Sequence, residues 1–145
     1  MHSRTGSCRG FSLLELLIVV GIILVIATIA IPSLLRSRQQ ANESAAVANL
    51  RTISNAEATY SVSGGRYATL SQLVSQQLLS DRFETGPVSG YRYTIASSRW
   101  AFTATAEPAS ANLGRYGYYM VTDGVIRYST TLTMAPVGLA GNAVR

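Results

Sequence analysis

From Phe11 to Ile31 the chain carries Leu, Ile, Val and Ala almost without interruption, the exceptions being Ser12, Glu15, Gly21 and Thr28. At about 1.5 Å per residue such a helix spans roughly 30 Å, the thickness of a bilayer core. Beyond Pro32 the pattern changes. Between Ser33 and Ser63 there is no proline or glycine, and Ala, Leu, Gln and Arg are plentiful, so the helix is expected to continue. Val47, Leu50, Ile53 and, less regularly, Tyr60 recur at helical spacing and form an apolar stripe expected to pack on a globular head. Ala41, Ala45, Ala48, Thr52 and Ala56 form a second, small-residue stripe that would let neighbouring helices approach. Arg36, Arg38 and Arg51 are expected to stay solvated.

Ser63-Gly64-Gly65 ends the helix, as glycine past a C-terminus does. The stretch RYATLSQLVSQQLL reads as a loop and a short helix with Leu70, Leu73, Val74 and Leu78 facing inward, and FETGPVSG as a turn-rich connection. Four strand-like segments follow: YRYTIAS from Tyr91, WAFTATAE from Trp100, YGYYMVT from Tyr116 and VIRYS from Val125. Asp123-Gly124, between the last two, is a strong hairpin signal, and EPASANLGR is a longer loop. The fold class is therefore α+β, a long N-terminal helix packed on a small antiparallel sheet of three or four strands. The tail from Thr130 to Arg145 has little pattern; framing the sheet edge and mobility both fit it. The eight tyrosines are read as half-buried strand residues, with sugar or surface contact as the alternative.

Composition removes more functions than it adds. All 12 basic residues are arginine, against 7 acidic ones, and they are scattered rather than clustered, so no nucleic-acid footprint is present. The single cysteine, Cys8, lies ahead of the apolar run, which leaves the rest of the chain without disulfides or thiol metal sites. The single histidine, His2, lies there too, so a serine–histidine or cysteine–histidine nucleophile has no base. Glu43, Glu57, Asp81, Glu84, Glu107 and Asp123 are scattered and offer no readable carboxylate pair. Calcium wants six to eight oxygens, more than the loop from Glu107 to Asn112 supplies. No enzyme activity, cofactor or metal is expected.

Glu15 is the one charge inside the apolar run. A carboxylate in lipid costs about 2.5–3.5 kcal/mol at mid-membrane, and less near the edge. A secretory signal peptide cut near Ala30 would have too long an apolar core and would place Pro32 right after the cut. An uncleaved single-pass anchor accounts for the length but gives Glu15 no role, unless it snorkels to the headgroups. Arg4 and Arg9 before the run would hold the N-terminus in the cytoplasm and send the chain beyond Pro32 across the membrane.

The segment RGFSLLELLIVV resembles the type IV pilin and pseudopilin family, in which a short basic leader ends in glycine before phenylalanine, an apolar stretch and a glutamate. IAIPSLLRSRQQANESAAVANLRTI continues in the same style, with Pro32 where such chains usually have a proline. The resemblance implies a cleaved leader over residues 1–10, an assembly and membrane half of the helix over 11–31, an amphipathic half over 32–63, and a head over 64–145. It implies cleavage between Gly10 and Phe11 by a prepilin peptidase that also methylates the Phe11 amine. It gives Glu15 two partners, its own helix N-terminus, favourable by roughly 0.3–1 kcal/mol, and the Phe11 amine of a neighbouring subunit, which fits at one axial register only. Pro32 is expected to break the helix locally by removing a donor and clashing with the Thr28 carbonyl. The family's glycine nearer the proline is missing here, where Leu24 and Val25 stand.

The implied function is a structural subunit of a type IV pilus serving adhesion, twitching motility or DNA uptake. The alternatives are a pseudopilin of a type II secretion system and an uncleaved membrane-anchored periplasmic binding domain. Implied partners are further copies in a helical filament, the peptidase and methyltransferase, an inner-membrane assembly platform and minor pilins. The precursor would sit in a bacterial inner membrane with its head in the periplasm, and the assembled form in a surface pilus or a periplasmic pseudopilus.

Overall fold

A computed structural model of the chain describes residues 10–129 and 140–144. The expected leader, apart from Gly10, lies outside the described residues, as does most of the expected tail. The chain forms two compact units, Met1–Arg36 and Ser37–Arg145.

Helix α1, Leu13–Gly64, contributes to both. The break expected at Pro32 does not interrupt it. Proline removes a single hydrogen bond, the one the Thr28 carbonyl would accept, and the ladder on either side carries the helix through. The end is where the sequence places it: Gly65 has φ +62° and donates its N–H to the Ser61 carbonyl at 2.9 Å, a left-handed cap.

In the head, the face that α1 buries is Glu43, Ala46, Leu50, Ile53, Ala56 and Glu57. Leu50 and Ile53 lie on the expected stripe, and Val47 and Tyr60 pack at its margin. Ala56 does not belong to an exposed small-residue stripe, whereas Ala41, Ala48 and Thr52 are exposed. Arg36, Arg38 and Arg51 are solvated. Helix α2, Leu70–Ser75, starts at a capping box in which Thr69 and Gln72 exchange side-chain and backbone bonds. Its Leu73 is fully buried, Leu70, Val74 and Leu78 are partly buried, and Leu79 joins the core with them. The turn-rich connection contains one further short helix, α3, Arg82–Thr85, which buries Phe83 edge-on against Tyr93 with ring centroids 5.2 Å apart.

The sheet is antiparallel, β1 Tyr91–Ser97, β2 Phe102–Pro108, β3 Tyr118–Val121, β4 Ile126–Tyr128 and β5 Asn142–Ala143, in that spatial order. All four expected strands form. The fifth comes from the tail, whose two described strand residues pair with Arg127 and Tyr128 and so frame the edge. Alternation puts Tyr91, Tyr93 and Ile95 on one face, across from Pro108, Ala106 and Ala104. Ala104 and Ala106 in turn face Met120 and Tyr118. The alanines of β2 are what let the bulkier rows on either side close over α1. All eight tyrosines are buried or half-buried. Burial raises the Tyr118 hydroxyl to about 12, and the Tyr91 hydroxyl upward also, so both stay neutral in any physiological medium.

Polar bonds fasten the β2–β3 loop to α1. Asn42 donates Nδ2 to the Leu113 carbonyl at 2.8 Å and Gln39 donates Nε2 to the Ala111 carbonyl at 3.3 Å. Glu43 accepts three bonds from Arg115: the backbone N–H at 2.9 Å, and Nε and Nη2 at 3.1 Å each. Beneath them the Tyr91 hydroxyl donates to the Tyr116 carbonyl at 2.9 Å. Gly114 makes room for that hydroxyl, since a Cβ there would collide with it. Gly114→Ala is therefore expected to cost about 2–3 kcal/mol, from overpacking and the displaced bond. Thermal unfolding of the detergent-solubilised chain should show a fall of several degrees, and an unchanged midpoint would contradict this packing.

Glu57 is the least accommodated group in the head. It is fully buried, its Oε2 accepts the Ala68 N–H at 2.9 Å, and its Oε1 has no partner among the described residues. Burial raises its pKa above the ordinary 4.5, and the Ala68 bond pulls it partly back. The folded head thus keeps this proton to higher pH than the unfolded chain does. Its stabilising contribution is complete below pH 4.5 and declines as pH rises through the folded value. Glu57→Gln, neutral at every pH, should stabilise the head at pH 7 by on the order of 1 kcal/mol. It should also flatten the loss of stability above pH 4.5 seen in melting curves of the parent chain. A variant less stable than its parent at pH 7 and equally pH-dependent would show that Glu57 is ionised and paired.

Candidate assembly site

The site predicted from sequence is the start of α1, and the structure gives its local geometry. Gly10 and Phe11 precede the helix and are exposed, Phe11 at 76%. The Ser12 carbonyl accepts the Leu16 N–H at 3.2 Å, so hydrogen bonding begins at Ser12 and Glu15 falls in the first turn. A carboxylate there sits among the unpaired N–H groups of the helix start, at the positive end of its dipole. Pro32 lies within α1, beyond the apolar run.

Among the described residues, nothing covers the run. The large apolar side chains between Phe11 and Ile31 are exposed all around the helix, from 45% at Val19 to 83% at Leu13. By length and composition α1 is able to cross a membrane. Each fully exposed Leu, Ile or Val forgoes about 1.5–3 kcal/mol that burial would give, so the segment demands an apolar surrounding, either lipid or other helices. It is prepared for one, because Thr28 already donates its hydroxyl to the Val25 carbonyl at 2.7 Å. Glu15 is the exception. No arginine, lysine or histidine stands between Arg9 and Arg36, so this stretch supplies no side-chain cation.

The head adds polar residues that look scattered in the sequence. Glu43 and Glu57 both lie on the buried face of α1, and Arg115 reaches Glu43 across the β2–β3 loop. The signal for them is present. Glu43, Ala46, Leu50, Ile53 and Glu57 fall at successive spacings of three or four, which places both acids on the apolar stripe itself. Glu107, the acid of the loop weighed for calcium, is exposed, and no three His, Cys, Asp or Glu side chains gather among the described residues.

Comparison with known proteins gives this arrangement relatives. Residues 6–31 match the family described as Prokaryotic N-terminal methylation motif. Type II secretion system core protein G of Escherichia coli (strain K12) is 34% identical over 119 residues, 79% of each chain. The protein of the same name from Pectobacterium carotovorum subsp. carotovorum is 27% identical over 96 residues, 63% of this chain and 62% of its own length. Type IV wide pilus major component PilA4 of Thermus thermophilus is 35% identical over 63 residues, 43% of this chain and 48% of its own. With a methylation motif at its start, and a likeness to protein G that runs through most of both chains, the chain belongs to the family of type IV pilins and type II secretion pseudopilins.

Proposed function

We propose that the chain is a non-enzymatic filament subunit, matured by cleavage between Gly10 and Phe11, methylated on the new Phe11 amine, and assembled through the first half of α1. The observation that carries this reading is Glu15, a lone acid in the first turn of a helix whose first half is otherwise apolar on every side. Cleavage at Gly10 would put an ammonium on Phe11, in a stretch that holds no side-chain cation for Glu15. In a bundle of such helices, pairing with a neighbour's ammonium relieves a costly buried charge, and it does so at one axial offset. Before assembly the same helix would anchor the precursor in the inner membrane, with the N-terminus cytoplasmic and the head periplasmic. An assembly platform, minor subunits and the peptidase are the partners this life cycle requires.

Two filaments fit. The reach of the protein G likeness into the head favours a short pseudopilus of a type II secretion system. The shortage of carboxylates in the β2–β3 loop favours a surface pilus over calcium-binding pseudopilins, and the likeness to the Thermus wide-pilus component agrees with it. Electron microscopy of material sheared from cells separates them, because abundant long fibres of this chain require the pilus.

Two outcomes test the shared mechanism. Mass spectrometry of the membrane-extracted chain should find Phe11 at the N-terminus carrying one methyl group; a chain still beginning at Met1 rejects the maturation step and, with it, the role of Glu15. Glu15→Leu should insert and be cleaved normally, yet recover at least about tenfold less filament, as the loss of about 1.4 kcal/mol of pairing per subunit predicts. Parental filament yield from that variant would remove the pairing from the account.

A further inference from the structure

The C-terminal end of α1 borders a polar cavity of about 680 Å³, whose other walls are the loop leading into α2 and the tip of the β1–β2 hairpin. Bonds already in place fix each wall. Gly65 turns the chain with its N–H on the Ser61 carbonyl. Ala68 donates its N–H to the buried Glu57 carboxylate at 2.9 Å, and Thr69 and Gln72 close the capping box. Tyr67 lies against the Phe102 ring, centroids 5.0 Å apart. At the hairpin tip the Ser98 N–H donates to the Ala101 carbonyl at 2.8 Å, and the Ala101 N–H to the Ser98 hydroxyl at 3.1 Å.

The charge of this cavity is one-sided. Arg66 and Arg99 line it, and among the described residues no acid does. Neither guanidinium has an ion-pair or hydrogen-bond partner among those residues. Arg99 lies 5.3 Å over the ring of Trp100, a contact that steadies the cation without neutralising it. The neutral lining groups also have bonding capacity to spare. Gln72 enters the capping box through Oε1 and its backbone, which leaves its Nε2 unused, and the Ser97 hydroxyl has no partner among the described residues. Of the carbonyls that end α1, that of Ser61 accepts the Gly65 N–H, and those after it have no backbone partner among the described residues.

We infer that this cavity binds an acidic sugar, a pyranose carrying a carboxylate, with Arg66 and Arg99 on the acid and the neutral groups on the ring hydroxyls. The planar fork of a guanidinium matches a carboxylate, and two of them leave the acid fully neutralised. A bare anion does not suit the rest of the cavity, because the end of α1 is the negative end of its dipole. Its free carbonyls call for donors, and Gln72 calls for an acceptor; a hydroxyl is both. An aliphatic or aromatic acid would leave those polar groups unpaired. The volume is that of a small-molecule site, several times larger than an inorganic oxyanion needs. A nucleic-acid strand would need cations spaced along many phosphates, where this end of the head presents two. Because the walls are already bonded, binding orders little beyond the two arginines. The inference goes beyond the filament reading and does not depend on it.

Trp100, the only tryptophan of the chain, reports on Arg99. Titrating the full chain, solubilised in a sugar-free detergent, with sodium glucuronate should change its tryptophan fluorescence saturably, as the carboxylate draws the guanidinium from the indole. Glucose, which lacks the carboxylate, and acetate, which lacks the hydroxyls, should each bind at least about tenfold more weakly. Arg66 is exposed, and Arg66→Gln leaves every bond of the walls intact. That variant should bind glucuronate about tenfold more weakly with an unchanged melting midpoint. Isothermal titration calorimetry on the same samples reads any binding that leaves the indole unmoved. Equal affinity for acetate or inorganic phosphate would make this a general anion site and overturn the sugar. Tighter binding of a single-stranded oligodeoxynucleotide would overturn it in favour of nucleic acid. No saturable glucuronate binding by either method, or full affinity in Arg66→Gln, would overturn the site itself. Maturation at Phe11 and filament yield are untouched by all of these outcomes, so the assembly reading stands or falls separately.

Discussion

One helix here has to satisfy two surroundings. The first half of α1 is apolar on every side and finds no cover among the described residues, whereas the second half has one buried face fitted to a sheet. A helix apolar all round is stable only inside something apolar. Much of what is distinctive about the molecule follows from that division: the head is small because it must cover only one stripe, and the N-terminal half remains available to lipid or to other copies. Because the hydrogen-bonded ladder of α1 runs through Pro32, a single element carries both the demand for apolar surroundings and the stripe on which a domain folds.

The elements governed by local chemistry can be read directly. Glycine after Ser63 ends the helix, alternation locates β1 to the residue, and Asp123-Gly124 marks the β3–β4 turn, where Asp123 also accepts the Val125 N–H at 2.8 Å and pairs with Arg127. What cannot be read depends on partners far away in sequence. β5 exists because β4 offers it an edge, and two residues of Asn and Ala carry no strand pattern of their own. Ala56 looks like a small-residue contact for another helix until the sheet is in place to cover it. At Pro32 the expected break weighs one lost donor and a clash, but not the ladder of hydrogen bonds on both sides that outlasts it.

The candidate site is more legible than the fold beneath it, for a physical reason. A charge in an apolar run violates an expectation so strongly that it announces a role, whereas a charge in a mixed stretch does not. Glu43 and Glu57 sit among alanines, asparagines and serines, where an acid looks like ordinary surface. Only the helical phase relative to Leu50 and Ile53 gives them away. Phase read for polar residues as strictly as for apolar ones places both in the core.

The three glutamates of α1 then show three ways for one carboxylate to meet an apolar surrounding. Glu43 is neutralised from within, by three bonds from Arg115 that also fix the loop carrying it. Glu57 has no cation beside it among the described residues, so burial shifts its own equilibrium toward the protonated form. Glu15 has neither remedy close at hand. It lies in a stretch with no side-chain cation, and its local relief is the helix N-terminus, which is worth less than burial costs. Of the three, it is therefore the one to which this stretch of chain offers no side-chain cation, and the proposed pairing with a neighbouring subunit's amine would supply what is missing, a dependence of the kind that makes a polymer selective for its own subunits.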